Sequence, residues 1–224
     1  MQRFFDIVLS VTALFILFPL FLFLMLLLRF TGEGEVFFLQ ERVGKDGKIF
    51  KIIKFATMIK ESPSIGTGTI TLKDDYRVLP VGKLLRKLKF NELPQIVNVL
   101  LGHMSIVGPR PQTRMCFEAF PQIAKDLIIK VRPGISGIGS LVFHDEEMIL
   151  SNKTNPINFY NETIARYKGD LEIWYVLNNN MSIYFKIIGL TLWIVFFPTS
   201  NHVWKVFRYL PIPPDSLKDS LKYR

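Results

Sequence analysis

The chain has 224 residues, a net charge of +9 and a hydrophobic content of 49%. This length allows one sizeable core and argues against a multidomain assembly. A mean hydropathy of +0.26 excludes a disordered chain. The single cysteine, Cys116, excludes a disulfide framework and a cysteine-based zinc site.

The N-terminal segment has the length and composition of a membrane helix. Residues 7–28 carry no charge and lie between Arg3 and Arg29, and a helix that crosses a bilayer needs about 20 apolar residues. Pro19 lies inside this run and predicts a kink or break, because it removes a helix hydrogen bond and clashes with the preceding turn. The pattern alone favours a spanning helix. The alternative is a helix that breaks and re-enters, with both ends on the cytoplasmic side.

The middle of the chain predicts a hairpin and then two helices. Residues 36–43 and 49–55 are typical of strands, and the glycine-rich residues between them form the turn. Residues 81–89 alternate basic residues with leucines, which is typical of a solvated helix face. Beside a membrane anchor, the same pattern favours contact with lipid phosphate. Residues 92–101 continue with apolar residues at helical spacing.

Two proline-bounded turns each present an arginine. Arg110 lies between Pro109 and Pro111, and Arg132 precedes Pro133. Because proline fixes the backbone, each guanidinium is presented at low entropic cost. A guanidinium matches the oxygens of a phosphate. Two such turns in a basic chain with a membrane segment indicate a phosphate-rich ligand.

An ordered series of motifs covers nearly the whole chain, from the membrane segment to about Pro198. Together these motifs resemble those of the bacterial sugar transferase family, the monotopic phosphoglycosyl transferases. They are Lys54-Phe55-Ala56-Thr57-Met58, Asn91-Glu92-Leu93-Pro94-Gln95, Asn98-Val99-Leu100 with Gly102-His103-Met104-Ser105, Val107-Gly108-Pro109-Arg110-Pro111, and Arg132-Pro133-Gly134-Ile135-Ser136-Gly137.

The resemblance implies transfer of a sugar-1-phosphate from a nucleotide diphosphate sugar, usually a UDP-sugar, to polyprenyl phosphate. This is the first membrane step of O-antigen, capsule, exopolysaccharide or glycoprotein glycan assembly. The resemblance also implies Mg²⁺ as cofactor, a covalent phosphosugar–aspartate intermediate and ping-pong kinetics. The expected partners are the two substrates and membrane lipid, with a homo-oligomer possible and nucleic acid excluded. The expected location is the cytoplasmic face of the bacterial inner membrane.

The implied fold is α+β, a small membrane-associated catalytic domain with amphipathic interfacial helices. The resemblance favours an N-terminal re-entrant helix broken at Pro19. The expected division is a membrane helix at 1–31, a catalytic domain at 32–200 and a C-terminal tail at 201–224, mobile from Phe207 onward. Within the catalytic domain, residues 160–177 predict a helix interrupted at 167–169. The apolar stretch near 183–197 is too short to span a membrane and suits a core or interfacial helix.

The chain departs from the family pattern at the catalytic pair. The usual pair is Asp-Glu, with Asp the nucleophile and Glu a magnesium ligand, whereas this chain has Asn91-Glu92. An amide is a poor nucleophile toward phosphorus and a weak magnesium ligand. In one explanation Glu92 attacks and the metal is held elsewhere, and in a second another carboxylate, from residues 145–147, is brought in. In a third the chain is inactive and serves as a scaffold or regulator of a glycan assembly complex.

We expect an active enzyme with Glu92 as the catalytic and metal-binding carboxylate. Asn91 then occupies the position of the family's nucleophile. The candidate phosphate contacts are basic residues from the motifs and from the basic helix: Lys54, Arg86, Arg110 and Arg132.

Overall fold

The computed structural model describes residues 1–68, 70–197, 200 and 202–223. The helices are α1 (Gln2–Arg29), α2 (Pro80–Lys87), α3 (Gln95–Leu100), α4 (Arg114–Glu118), α5 (Gln122–Ile128), α6 (Ile138–Val142), α7 (Glu146–Ser151), α8 (Pro156–Phe159), α9 (Ala165–Asn178), α10 (Met181–Phe196), α11 (His202–Val206) and α12 (Asp215–Lys218). The strands are β1 (Phe37–Val43), β2 (Ile49–Phe55), β3 (Ser105–Val107) and β4 (Gly134–Ser136). Short 3₁₀ turns lie at Lys45–Gly47 and Phe90–Glu92, and a π-helical turn lies at Tyr160–Ile164.

Helix α1 continues through Pro19 without interruption. The structure therefore shows no break at this proline, whereas a kink there stays a prediction. A proline removes one donor and one hydrogen bond, and the remaining bonds of this leucine-rich helix keep it continuous. Its 28 residues correspond to about 42 Å, and it is long and apolar enough to cross a membrane. Re-entry stays a prediction.

Both ends of α1 contact the same domain. Near its start, the Arg3 guanidinium donates hydrogen bonds to two carbonyl groups at the end of α3. Near its end, Leu24 and Leu28 form a small core with Phe55 and Leu85. Many apolar side chains between these two contacts are exposed. The domain therefore holds the helix at both ends and leaves apolar surface free between them.

The acidic residue Asp6 fixes the start of α1 to strand β3. Its side chain is 1% exposed. One carboxylate oxygen accepts hydrogen bonds from the Ser105 hydroxyl and the Ile106 backbone N–H at 3.0 Å, and from the Tyr184 hydroxyl at 2.9 Å. Because these donors come from β3 and from α10, one carboxylate joins three separate parts of the chain.

We expect Asp6→Ala to lower the melting temperature of the detergent-purified protein by about 5–10 °C, since losing a buried acceptor of several hydrogen bonds costs about 2–3 kcal/mol. The measurement is thermal unfolding followed by circular dichroism. Asp126→Ala is the matched control, because Asp126 is exposed and accepts one hydrogen bond, from Gln122. Equal melting temperatures in the two variants would contradict this role of Asp6.

The predicted hairpin is confirmed, and it places two basic residues on one face. Strands β1 and β2 are antiparallel, with Phe38 opposite Lys54 and Arg42 opposite Phe50. Opposed residues of an antiparallel pair point to the same side, and side chains alternate along each strand. Lys54 and Arg42 therefore share one face of the hairpin.

The two arginine-bearing turns lie against each other through glycines. Strands β3 and β4 pair in parallel, and the backbone N–H of Gly108 donates to the Ser136 carbonyl at 2.9 Å. A Cβ on Gly108 would lie 2.4 Å from the Arg132 carbonyl oxygen, and one on Gly137 would lie 2.1 Å from the Gly108 carbonyl oxygen. Only glycine fits at this backbone crossing, which explains the glycines of both motifs.

The C-terminal half differs from the sequence prediction in two places. Helix α9 runs without interruption through residues 167–169, because Gly169 lets it pack closely on Pro121 and Ala124. The segment after α10 is not a mobile tail, since Leu217 and Leu221 are buried in the main core. The burial of these two leucines holds the segment on the domain. Residues 198, 199, 201 and 224 lie outside the described residues.

Candidate functional site

Glu92 lies at the centre of a basic cluster. It ends the 3₁₀ turn that follows α2, and its side chain is 17% exposed. Its Oε1 lies 2.5 Å from Nη2 of Arg110 and 3.4 Å from Nζ of Lys54, and its Oε2 lies 3.4 Å from Nη1 of Arg110. Burial opposes ionisation, but the charges of Arg110 and Lys54 outweigh it and hold the pKa of the Glu92 carboxyl well below its usual range. The carboxylate is therefore ionised at neutral pH.

The cations of this cluster outnumber its central carboxylate. Burial, opposed by Glu92 and assisted by nearby arginines, lowers the pKa of Lys54 to about 7. Burial and the charge of Arg110 lower the pKa of Arg42 to about 10, whereas Glu92 raises the pKa of Arg110 above its usual value. Like charges held this close favour an additional anion between them.

Arg86 reaches the edge of the same cluster from α2. It is near enough to depress the pKa of Lys54, and its guanidinium forms an ion pair with the Glu147 carboxylate at the start of α7. Glu146 and Glu147 in turn help to raise the pKa of Arg110. Of the acidic residues that the sequence offered as alternative carboxylates, Glu147 thus reaches the edge of the basic cluster through Arg86.

The structure does not bring Arg132 to Glu92. The Arg132 guanidinium donates to the Gly102 carbonyl oxygen at 3.0 Å, on the turn before β3. Lys54 and Arg110 thus contact Glu92 and Arg86 lies nearby, whereas phosphate contacts for these three residues and for Arg132 stay predictions.

Asn91 is buried beside Glu92. Its Oδ1 is buried and has no hydrogen-bond partner among the residues that the structure describes. A buried acceptor without a partner is costly, so it marks a place where a donor or a cation would be favourable. Carboxylate oxygens, and more weakly amide oxygens, bind Mg²⁺, which takes its remaining ligands from water and from substrate phosphates. Asn91 and Glu92 form a donor set of this kind, although the described residues hold no group of three or more acidic, histidine or cysteine ligands.

Sequence reasoning missed Arg42 and Glu172. Arg42 donates to the Pro111 carbonyl oxygen at 3.0 Å, which links β1 to the turn that carries Arg110. Glu172 of α9 is buried, and burial raises the pKa of its carboxyl group to about 8. Strand alternation places Arg42 on the same face as Lys54 and could have indicated it. The sequence gives no comparable signal for Glu172.

Comparison with known proteins identifies the family. A sequence model described as "Bacterial sugar transferase" matches residues 1–198. The exopolysaccharide production protein ExoY of Sinorhizobium fredii (strain NBRC 101917 / NGR234) is 38% identical over 151 residues, 61% of this chain and 66% of that protein. The uncharacterized sugar transferase EpsL of Bacillus subtilis (strain 168) is 33% identical over 194 residues, 86% of this chain and 85% of that protein.

A third relative is considerably longer than this chain. The UDP-N-acetylgalactosamine-undecaprenyl-phosphate N-acetylgalactosaminephosphotransferase of Aeromonas hydrophila is 41% identical over 143 residues, 63% of this chain and 34% of that protein. The match thus spans about two thirds of the rhizobial relative and about one third of the Aeromonas enzyme. The match to residues 1–198 covers most of the chain, and the chain therefore belongs to the bacterial sugar transferase family.

Proposed function

We propose that the protein transfers a sugar-1-phosphate from a UDP-sugar to polyprenyl phosphate at the cytoplasmic face of the bacterial inner membrane. The observation that carries this proposal is the ionised Glu92 carboxylate held between Arg110 and Lys54. Relatives named for UDP-sugar and undecaprenyl phosphate support this pair of substrates.

In the proposed first step, Glu92 attacks the phosphorus atom that carries the sugar. The bond from that phosphorus to the bridging oxygen of the diphosphate breaks, and a phosphosugar–Glu92 acyl phosphate forms as UMP leaves. In the second step, a phosphate oxygen of polyprenyl phosphate attacks the same phosphorus atom. Glu92 leaves as a carboxylate, and the product is a polyprenyl diphosphosugar.

The basic residues around Glu92 have two tasks in this scheme. Arg110 and Lys54 contact the carboxylate and would shift toward the negative oxygens of the transferring phosphoryl group. Arg86, released from Glu147, would bind a further phosphate oxygen. An anionic nucleophile otherwise meets repulsion from an anionic diphosphate, so the excess of positive charge is needed on approach.

We also propose that Mg²⁺ binds at this site when the diphosphate is present. Glu92 and the amide oxygen of Asn91 would hold it, as the partnerless Oδ1 suggests. The ion would neutralise charge on the diphosphate.

The membrane arrangement that we propose is monotopic. Both ends of α1 contact one domain, and a polar domain cannot reach across a bilayer core of about 30 Å. A continuous helix that bends at Pro19, and so enters and leaves on one face, would satisfy both contacts. The exposed apolar residues Trp193 and Phe196 of α10 would then lie at the same interface.

The presence of Asn91 favours a second candidate function, that of a catalytically inactive scaffold or regulator of a glycan assembly complex. An amide at the nucleophile's position removes one carboxylate from the family's pair. The two candidates differ in one observable, because a scaffold forms no phosphosugar adduct and releases no UMP.

The test is UMP release from a panel of UDP-sugars with short-chain polyprenyl phosphate and Mg²⁺. We expect release with at least one sugar, and we expect Arg110→Met to lower kcat/KM by about 10²–10³-fold, as for the loss of a charge-stabilising donor. Arg114→Met is the control, because Arg114 is exposed. Absence of UMP with every sugar would favour the scaffold.

A further inference from the structure

The turn that carries Arg110 has few hydrogen-bond donors of its own. Pro109 and Pro111 have no backbone N–H, so the turn is held in place mainly through its carbonyl groups. The carbonyl oxygens of residues 109–112 each accept a hydrogen bond. The position of this turn therefore depends on donors that other parts of the chain supply.

Two of these donors come from the end of strand β1. The Arg42 guanidinium donates from Nη1 to the Pro111 carbonyl oxygen at 3.0 Å. The next residue, Val43, donates its backbone N–H to the Gln112 carbonyl oxygen at 3.0 Å. The Gln112 side chain in turn donates to the Arg110 carbonyl oxygen at 3.2 Å. Strand β1 is thus joined by adjacent hydrogen bonds to the residues that follow Arg110.

The Arg42 guanidinium is itself held in one orientation. Its Nη2 donates to Oε1 of Gln40, which lies two residues earlier on β1 and therefore on the same face of the strand. The guanidinium is a planar fork, so binding of two of its nitrogens fixes the direction of all its N–H groups. The hydrogen bond to Pro111 is therefore directional, whereas a lysine at this position would offer only a point charge on a flexible stem.

The surroundings of Arg42 are unfavourable for stability. Its Nε is buried and has no hydrogen-bond partner among the described residues. Burial and the charge of Arg110 lower the pKa of Arg42 to about 10, so Arg42 is still a cation at pH 7. A buried cation that is incompletely paired and lies near a like charge costs free energy. Its presence is therefore better explained by the turn that it holds than by the stability of the fold.

The Arg110 side chain depends on the backbone that carries it. Its Nη2 lies 2.5 Å from Oε1 of Glu92, and the side chain is 36% exposed. Because packing confines such a side chain only in part, a shift of the turn would move the guanidinium away from Glu92. In enzymes a misplacement of about 1 Å can cost about 10²-fold in rate.

We propose that Arg42 is a positioning residue, which holds the turn at Pro111 so that the Arg110 guanidinium meets Glu92. In this proposal Arg42 contacts neither the substrate nor the reacting atoms, and it acts through Arg110. The effect on catalysis rests on the proposed function, whereas the positioning itself does not.

The first test reads the position of Arg110 without substrate. Detergent-purified protein is treated with phenylglyoxal, and peptide mass spectrometry gives the ratio of modified Arg110 to modified Arg208, which is exposed. We expect Arg42→Met to raise this ratio severalfold, because a loosened turn weakens the ion pair that protects Arg110. Gln40→Leu should raise it less, since it frees one side of the Arg42 guanidinium. Lys51→Met is the matched control, because Lys51 is an exposed cation on the other face of the same hairpin.

The second test asks whether Arg42 acts through Arg110. Arg42→Met should lower kcat/KM for UMP release about tenfold to a hundredfold, the cost of a small misplacement. In the Arg110→Met background the same substitution should change kcat/KM by less than about twofold, because the group that it positions is gone. Arg42→Lys keeps the charge but not the planar fork, so it should stay at least about fivefold below the wild type.

Three results would overturn the proposal. The first is an unchanged ratio of Arg110 to Arg208 modification in both Arg42→Met and Gln40→Leu. The second is a full loss from Arg42→Met in the Arg110→Met background, since Arg42 would then act independently of Arg110. The third is wild-type activity in Arg42→Lys, which would mean that charge alone is needed. If Arg42→Met does not fold, the modification ratio in Gln40→Leu and the activity of Arg42→Lys decide. The failure of the proposed function would differ, because wild-type protein would then release no UMP while the modification ratio still responded.

Discussion

Glu92→Gln is expected to abolish the phosphosugar adduct and to lower kcat by more than about 10³-fold, as for the loss of an enzyme nucleophile. Glutamine keeps the shape of the side chain but has no anionic oxygen to attack phosphorus. It also withdraws the negative charge that pairs with Arg110 and Lys54. Without Mg²⁺, UDP should therefore bind to the variant as tightly as before or more tightly, while chemistry stops.

The measurement is intact-protein mass spectrometry after incubation with a UDP-sugar in the absence of polyprenyl phosphate. Wild-type protein should gain the mass of one sugar phosphate, and Glu92→Gln should gain none. Glu118→Gln is the matched control, because Glu118 is an exposed carboxylate paired with Lys125. An adduct that persists in Glu92→Gln but disappears in Glu147→Gln would show that Glu147 of α7, and not Glu92, is the nucleophile.

The parts of this site that the sequence predicted are those encoded locally. The strand-like run at residues 49–55 predicted β2 and placed Lys54 on it. The prolines around Arg110 predicted a rigid turn, and the resemblance of the motifs to one family placed that turn in the same site as Glu92. It was the resemblance that implied a shared site, and the ion pairs of Glu92 with Arg110 and Lys54 agree with it.

The parts that were missed depend on contacts between distant segments. Arg132 has the same proline-bounded pattern as Arg110, but its backbone crosses the other turn at Gly108 and its side chain bonds to Gly102. The C-terminal segment was expected to be mobile because its prolines suggested a tail. Its leucines instead fill the core. Asp6 carried a usable signal, since an acid in an apolar membrane helix is rare and generally has a partner.

Arg77→Met is expected to destabilise the protein by about 3–5 kcal/mol, the range for breaking a buried ion pair from one side. Arg77 is 1% exposed, and its Nη2 lies 2.6 Å from Oδ2 of Asp75. The same guanidinium organises the irregular segment before it through further hydrogen bonds. Their acceptors are the carbonyl oxygens of Ser62, Ile65, Gly68 and Ile70 and the hydroxyl of Thr67.

Low pH and a second substitution can separate the two parts of this loss of stability. One part is the unpaired Asp75 carboxylate, and the other is the set of carbonyl groups left without their donor. Hydrogen bonds from Arg77 lower the pKa of Asp75, so the contribution of the pair is present above the unfolded pKa of about 3.9 and is lost as pH falls further. The destabilisation by Arg77→Met should therefore shrink in acid. Asp75→Asn combined with Arg77→Met should likewise recover part of the stability, because no uncompensated carboxylate remains.

Chemical unfolding of the detergent-purified variants measures these differences, with Arg29→Met as the control. Arg29 is exposed and donates one hydrogen bond, to Gly34, so its loss should change the free energy of unfolding by no more than about 0.5 kcal/mol. The double variant should remain less stable than the wild type, since the carbonyl groups around Arg77 still lack their donor. If the Arg77→Met variant is as stable as Arg29→Met, the segment before Asp75 does not need the buried guanidinium for its stability.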